Sequence, residues 1–436
     1  MSGLEIALAS ILAMVVLIAS GLHVAIALIL ISFIGVGLIR NFDIAANLMV
    51  LSFRDTISDY LFGVVPLFVF MGLIVSVAGL GRDTFEVAAH LFRRVLGGLG
   101  MATVAANAVF AAITGISIAS AAVFTKVAVP EMIRFGYAPR FAVGVVAGSS
   151  ILGMLIPPSL LFILYAILTE QSVGQLFIAG IVPGLLLALL YCVGIFLMAR
   201  FTPGFVGEGA ANATPPPLMG WAEMAAKLAP VLALIALVLG GIYGGIFTPT
   251  EAGGAGALGA LIIALAKRRL TWEGFRQVLV QTGHTTAAIC FLIIGASLYS
   301  RMLALSGMPR WLGGFVIESG LGITGVVLLL LLIIILLGMI LDSASILLLT
   351  VPIALPIMVA AQVDLIWLGV LVILAVEIGL LTPPFGIAVY VIKSTLGPQS
   401  RIGLGDIFLG AAPFTLIMLL VLGLVFIFPP LATMLL

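Results

Sequence analysis

Apolar runs separated by short polar punctuation dominate the chain. Two fit in residues 4–39, hinged near Gly21-Leu22-His23, and a third lies at about 61–79; the polar stretch between them, Arg40 to Tyr60, reads as a loop. Residues 82–96 break this pattern. There Arg82, Asp83, Glu86, His90, Arg93 and Arg94 recur at steps of three and four, with Phe85, Ala89, Phe92 and Leu96 between them. That spacing predicts a short helix with one polar stripe, lying along a membrane surface. Residues 97–130 predict two helical arms interrupted by the small, polar run Gly115-Ile116-Ser117-Ile118-Ala119-Ser120-Ala121. A span at 141–168 is broken by Pro157-Pro158, another follows at 176–199, and the connection 201–227, with Pro215-Pro216-Pro217, divides the chain in two.

The second half opens with spans near 228–246 and 254–266, a basic run Lys267-Arg268-Arg269, a surface-seeking segment around Trp272, Glu273 and Arg276, and a span at about 284–300. From there the order of the first half returns: an interrupted segment at 322–360, a broken one at 366–396 and a span at 406–430. Gly115, Ser120 and Ala121 match Gly338, Ser343 and Ala344 at an offset of 223; Pro157-Pro158 match Pro383-Pro384 at 226; Gly180 and Pro183 match Gly410 and Pro413 at 230. Anchors that recur with a slowly drifting offset predict an internal repeat, 1–200 and 228–436.

Composition fixes the solvent. Of 436 residues 63% are hydrophobic and only 8% charged, and the mean hydropathy is +1.39, against about 25% charged residues in a soluble domain. Such a chain is solvated mostly by lipid, with room for roughly a dozen membrane segments of about 20 residues. The net charge of +1 offers no basic or acidic tail for nucleic acid. Cys192 and Cys290 lie in apolar runs, and His23, His90 and His284 are scattered, which excludes a disulfide framework and a zinc site. No removable leader is expected ahead of the first span.

If 97–130 and 322–360 each enter and leave on one side, the first half crosses the bilayer an odd number of times and the second half is inverted. Arg82, Arg93, Arg94, Arg134, Arg140, Arg200, Lys227, Lys267, Arg268, Arg269, Arg276, Lys393 and Arg401 then share one face, opposite only Arg40, Arg54, Arg301 and Arg310. The positive-inside rule places the first group in the cytoplasm and both termini outside.

Three constellations carry chemistry. Gly153 to Pro158 and Gly379 to Pro384 both read Gly-x-x-x-Pro-Pro. Each proline removes a helix donor, freeing the carbonyls of Gly153, Met154, Gly379 and Leu380 to line a cavity or meet a cation. The interrupted tips, GISIASA and GMILDSAS, offer hydroxyl ligands and free helix N–H groups. Asp342 and Glu377 are the acids set deep in apolar sequence, where ionisable groups are costly and mark function. Asp342 has two open roles, cation or substrate ligand and helix N-cap. Glu377 has three: support of the broken helix, proton binding, or pairing with a polar neighbour. Lys126 reads as snorkelling to the cytoplasm. No phosphate-binding loop, carboxylate pair or Ser/His/Asp set is present, so the chain is expected not to be an enzyme and to have no organic cofactor.

The ordered motifs GISIASA, GMLIPPS, GMILDSAS and GLLTPPFG closely resemble the large membrane subunit, dicarboxylate-permease M type, of tripartite ATP-independent periplasmic (TRAP) transporters. The resemblance covers nearly the whole chain. It implies an all-α polytopic membrane protein of inverted repeats with two re-entrant hairpins and two discontinuous helices, working as an elevator in a bacterial inner membrane. It further implies coupling to Na⁺ (about two ions per cycle or more), a separate small four-helix membrane subunit and a periplasmic substrate-binding protein. The cargo would be a small organic acid such as a C4-dicarboxylate or sialic acid. By the resemblance one Na⁺ site draws on Gly115, Ser117, Ser120, Gly153, Met154 and Pro157, and a second on Gly338, Asp342, Ser343, Gly379, Leu380 and Thr382. Substrate would lie between the tips, within reach of Ser117, Ser120, Ser149, Ser150, Ser343, Ser345 and Thr382. Ala119 stands where the second half has Asp342, so the two ligand sets differ. The rival readings are a stand-alone Na⁺- or H⁺-coupled anion carrier of the wider ion-transporter group and a membrane-embedded enzyme.

Overall fold

The structure is a computed structural model describing residues 2–207, 219–309, 311, 314, 322–384 and 386–436; the proline run of the connector, Arg310 and Phe385 lie outside them. Among the described residues every regular element is helical. Among the described residues seven helices are long and apolar enough to cross a membrane, or eight if Pro139–Leu155 and Leu160–Thr169, bent by 40°, form one span. The expected dozen is therefore not reached by length alone. The other apolar helices run 10–17 residues, and at 1.5 Å per residue even the longest covers about 25 Å of a roughly 30 Å hydrocarbon core.

Two groups of helices pack together. The first contains Gly3–Ala19, Val24–Ile39, Phe42–Ser58, Val64–Val77, Trp221–Ile235, Pro249–Ala266 and Trp272–Ser306. Within it Trp272–Ser306 lies along Val24–Ile39, and Pro249–Ala266 along Val64–Val77. Gly295 makes the first contact close: a Cβ there would stand 2.9 Å from Cβ of Leu28. Two expectations are corrected here. The polar stretch Arg40 to Tyr60 is not a loop but the helix Phe42–Ser58, capped by Asn41, whose Oδ1 accepts from Ile44 N at 2.7 Å; its face of small residues, Ala45, Ser52 and Thr56, is buried in the protein instead of facing lipid. Likewise the segment at Trp272 and the span after it form one continuous helix of 35 residues.

The second group holds two helical hairpins, Gly98–Thr114 with Ser117–Arg134 and Gly322–Gly338 with Ser343–Ala360. It also holds two interrupted helices, Pro139–Ser150 to Leu160–Thr169 and Leu365–Leu381 to Ile387–Leu396, and the helices Val173–Phe201 and Leu404–Ile427. The halves interlock: Leu160–Thr169 packs on Ser343–Ala360, and Ile387–Leu396 packs on Ser117–Arg134. Each post-break segment thus lies against the outgoing arm of the other half's hairpin.

The polar helix read at 82–96 spans Leu80–Phe92, between Gly79 and Gly97, whose φ of 71° and 76° are left-handed. Its stripe is not simply solvated. Asp83, 3% exposed, forms ion pairs with Lys267 and, at 3.5 Å, with Arg269. Glu86 is bonded by Lys227 at 2.8 Å and Arg82 at 2.9 Å. Burial works to raise the Glu86 pKa, but these two cations outweigh it and hold the carboxyl below its ordinary value. The arm of the first half is therefore tied by charge to helices of the second.

Candidate transport site at the hairpin tips

Glycine and proline together decide where the two hairpins meet the two breaks. The first hairpin turns at Gly115, φ 62°, and a Cβ there would stand 2.5 Å from the Pro158 carbonyl oxygen, so only glycine fits. Its own carbonyl accepts from Leu160 N at 3.2 Å. Gly153, before the break, faces the same tip, with Ile116 C and Ser117 N 3.2 Å from where its Cβ would be. The second half repeats this construction. Gly338 and Gly379 lie back to back, each lacking the Cβ that would stand 2.7 and 2.6 Å from the other's Cα. Gly386 N donates to Met339 O at 3.4 Å. In both halves the backbone just beyond the Pro-Pro pair is thus hydrogen-bonded to a tip. Both Pro-Pro bonds are cis.

At the first junction Ser117 and Ser120 are buried; the Ser120 hydroxyl has no hydrogen-bond partner, and the Ser117 hydroxyl has only the Glu377 carboxylate beside it. Buried polar atoms are almost always paired, and the lone pairs of these two hydroxyls on one tip are left without a donor. Ser149 Oγ accepts from Asn107 Nδ2 at 2.7 Å, while the amide oxygen of Asn107 is itself unpartnered. Asn107 was missed in the sequence; its one signal is an amide in a run of small apolar residues. Ser150 is turned away, donating to Ala147 O at 2.9 Å. Pro157 offers Gly153 no N–H, as its ring requires. The Met154 carbonyl, expected to be free, instead accepts from the Ser159 hydroxyl.

At the second junction the cap role of Asp342 is realised: its carboxylate takes Ser345 N at 3.1 Å and the Ser345 hydroxyl, starting the helix Ser343–Ala360. The Gly379 carbonyl, also expected to be free, accepts from Thr382 N at 2.9 Å. The Thr382 hydroxyl donates to Ile378 O at 2.7 Å. The Leu380 carbonyl faces Gly386, 3.1 Å from where a Cβ on that glycine would be. Ser343 Oγ donates to Glu377 Oε1 at 3.3 Å, and Glu377 Oε2 is buried without a partner. Of the roles open to Glu377, pairing with a polar neighbour is the one the contacts show. Lys126 is exposed and lines a surface cavity with Glu86, Glu131 and Lys227 at the base of the first hairpin, remote from its tip.

The donor set at both junctions is hydroxyl, amide and carbonyl oxygen with one carboxylate. Among the described residues no three His, Cys, Asp or Glu side chains come together as a transition metal requires. Hard oxygens of this kind suit an alkali cation, and the N-terminus of Ser343–Ala360 beside them favours an anion.

The comparisons with known proteins agree with this architecture. The family model described as the DctM component of tripartite ATP-independent periplasmic transporters matches residues 11–431. A C4-dicarboxylate TRAP transporter large permease protein DctM of Pseudomonas aeruginosa is 34% identical over 377 residues, 86% of each chain. A sialic acid TRAP transporter large permease protein SiaM of Vibrio cholerae is 30% identical, covering 84% of this chain and 83% of that one. An ectoine TRAP transporter large permease protein TeaC of Halomonas elongata is 29% identical, over 84% of each. Among solved structures the YdaH transporter of Alcanivorax borkumensis shares the fold, with a TM-score of 0.55, 14% identity and coverage of 87% and 86%. This chain is a multi-pass membrane protein belonging to the DctM family, the large permease subunits of TRAP transporters, and its homologues are named as transporter permease proteins.

Proposed function

We propose that this permease imports a small organic acid by Na⁺-coupled secondary transport, receiving it from a periplasmic binding protein and braced by a separate small four-helix membrane subunit. The observation that carries the reading is the twice-built junction of hairpin tip and proline break, with the buried Ser120 hydroxyl unpartnered and Ser117 beside it. Neither Asp342 nor Glu377 has a basic partner among the described residues. An acid cargo therefore needs its positive charge brought in, and Na⁺ at the two junctions supplies it. The compounds for which relatives are named, C4-dicarboxylate, sialic acid and ectoine, have a carboxylate in common, which is the group the tips would hold.

In this reading the halves are inverted repeats, the basic face is cytoplasmic and both termini are periplasmic. The first group of helices is the scaffold, and the hairpins, interrupted helices, Val173–Phe201 and Leu404–Ile427 move across it as one block. Each net positive charge carried inward gains about 2.3 kcal/mol per 100 mV, so Na⁺ in excess of carboxylate charge drives accumulation. The test is uptake of radiolabelled succinate and sialic acid into proteoliposomes under an inward Na⁺ gradient, with and without the binding protein and small subunit. Ser120→Leu and Ser343→Leu are expected to abolish Na⁺-stimulated uptake with membrane insertion intact. Uptake indifferent to Na⁺, or unaltered by both substitutions, overturns the proposal; uptake that needs no binding protein overturns the tripartite part of it.

A further inference from the structure

We infer that Glu377 is a positioning residue shared by both junctions, turning the serine hydroxyls of the two tips toward their cations. This rests on the Na⁺ reading above. Asp83 and Glu377 are the buried acids among the described residues. Asp83 is neutralised by Lys267 and Arg269 at the protein's edge, whereas Glu377, 1% exposed, has no cationic partner there. A lone carboxylate in apolar surroundings is strongly unfavourable without a counter-charge.

The neighbours of Glu377 come from both halves. Ser343, at the second tip, donates to Oε1 at 3.3 Å. Ser117, at the first tip, lies beside the same carboxylate with its hydroxyl otherwise unpartnered, and Oε2 is the free acceptor. A serine that gives its proton to a carboxylate presents its lone pairs on the opposite side, polarised, as a better cation ligand. Glu377 itself precedes Gly379, whose backbone is pressed against the second tip. One side chain thus touches or adjoins both tips and the break that closes one of them. Partners of this kind, which orient a ligand without touching the metal, are typically worth roughly 10–100-fold in metal affinity.

The experiment is a Na⁺ titration of the purified full chain in lipid nanodiscs, ionic strength held with choline chloride, read as thermal stabilisation. It needs no substrate. Glu377→Gln keeps size and one acceptor but removes the charge; the expected result is a half-saturating Na⁺ concentration raised about 10–100-fold, with the stability in choline chloride unchanged or increased. Glu377→Asp keeps the charge at shorter reach and is expected to fall between wild type and Glu377→Gln. It also serves should Glu377→Gln not yield monodisperse protein. A wild type that responds to Na⁺ with both variants superimposed on it overturns this inference and leaves the proposed function standing. A wild type that does not respond to Na⁺ overturns the proposed function, and this inference with it.

Discussion

Replacing Gly379 by alanine inserts a methyl group where the second hairpin has no room for one. The new Cβ would stand 2.6 Å from Cα of Gly338 and 2.7 Å from the Ile335 carbonyl oxygen. Both are backbone atoms, and ordinary contact begins at 3.4 Å, so the tip and the break must part by about 0.8 Å, a strain that typically costs about 1–3 kcal/mol. The helix-propensity gain of alanine over glycine returns only about 0.5–1 kcal/mol. A separation of this size also exceeds the roughly 0.5 Å within which a binding constellation must be held. Gly153→Ala at the first junction is the matched comparison, because its Cβ would be 3.2 Å from Ile116 C and Ser117 N and needs only a slight shift. Gly283, with nothing within 4 Å of its Cβ position, is the control. Thermal unfolding in nanodiscs and Na⁺-driven uptake in proteoliposomes should rank the variants: Gly379→Ala destabilised and inactive, Gly153→Ala mildly impaired, Gly283→Ala as active as wild type and as stable or slightly more so. Gly379→Ala with wild-type stability and uptake would refute the reasoning, as would equal damage from Gly153→Ala.

Two further predictions concern the arm helix Leu80–Phe92. Asp83→Asn leaves Lys267 and Arg269 without their carboxylate, and because Lys267 is about one-fifth exposed the loss is below that of a fully buried pair, about 1–3 kcal/mol; a thermal midpoint equal to wild type would contradict it. Glu86 is held below its ordinary value of 4.5 by Lys227 and Arg82 against the effect of burial. Its contribution to stability is therefore complete above about pH 4.5 and is lost as pH falls through the lower folded-state value. Glu86→Gln should flatten this acid limb of the stability profile, and an unchanged limb would show that the carboxylate is not paired in solution.

The motifs that repeat were the legible part of the sequence. Paired glycines and prolines state a backbone requirement outright, so the breaks at Pro157-Pro158 and Pro383-Pro384 and the turn at Gly115 fall where the spacing put them. Partnerships between distant segments were not legible. Arg40 to Tyr60 looks like a loop because its polar residues are counted against lipid, whereas Ser52 and Thr56 are buried against protein. The stripe of the arm helix looks solvated because Lys227, Lys267 and Arg269, its partners, lie 141 to 186 positions away. The carbonyls of Met154 and Gly379 look free from the proline rule alone, which does not count Ser159 and Thr382 as local donors. Glu377 was visible as a buried acid, yet only the fold could bring Ser343 and Ser117 to it from two different tips.

The most direct test of the account is a pair of single-particle density maps of the chain in lipid nanodiscs, one in NaCl and one in choline chloride at equal ionic strength. Density is expected in NaCl, absent in choline, between the Ser117 and Ser120 hydroxyls and Gly153, and again between Ser343 and Gly379. Maps identical at both junctions, or tips drawn away from the proline breaks in the presence of Na⁺, would contradict it.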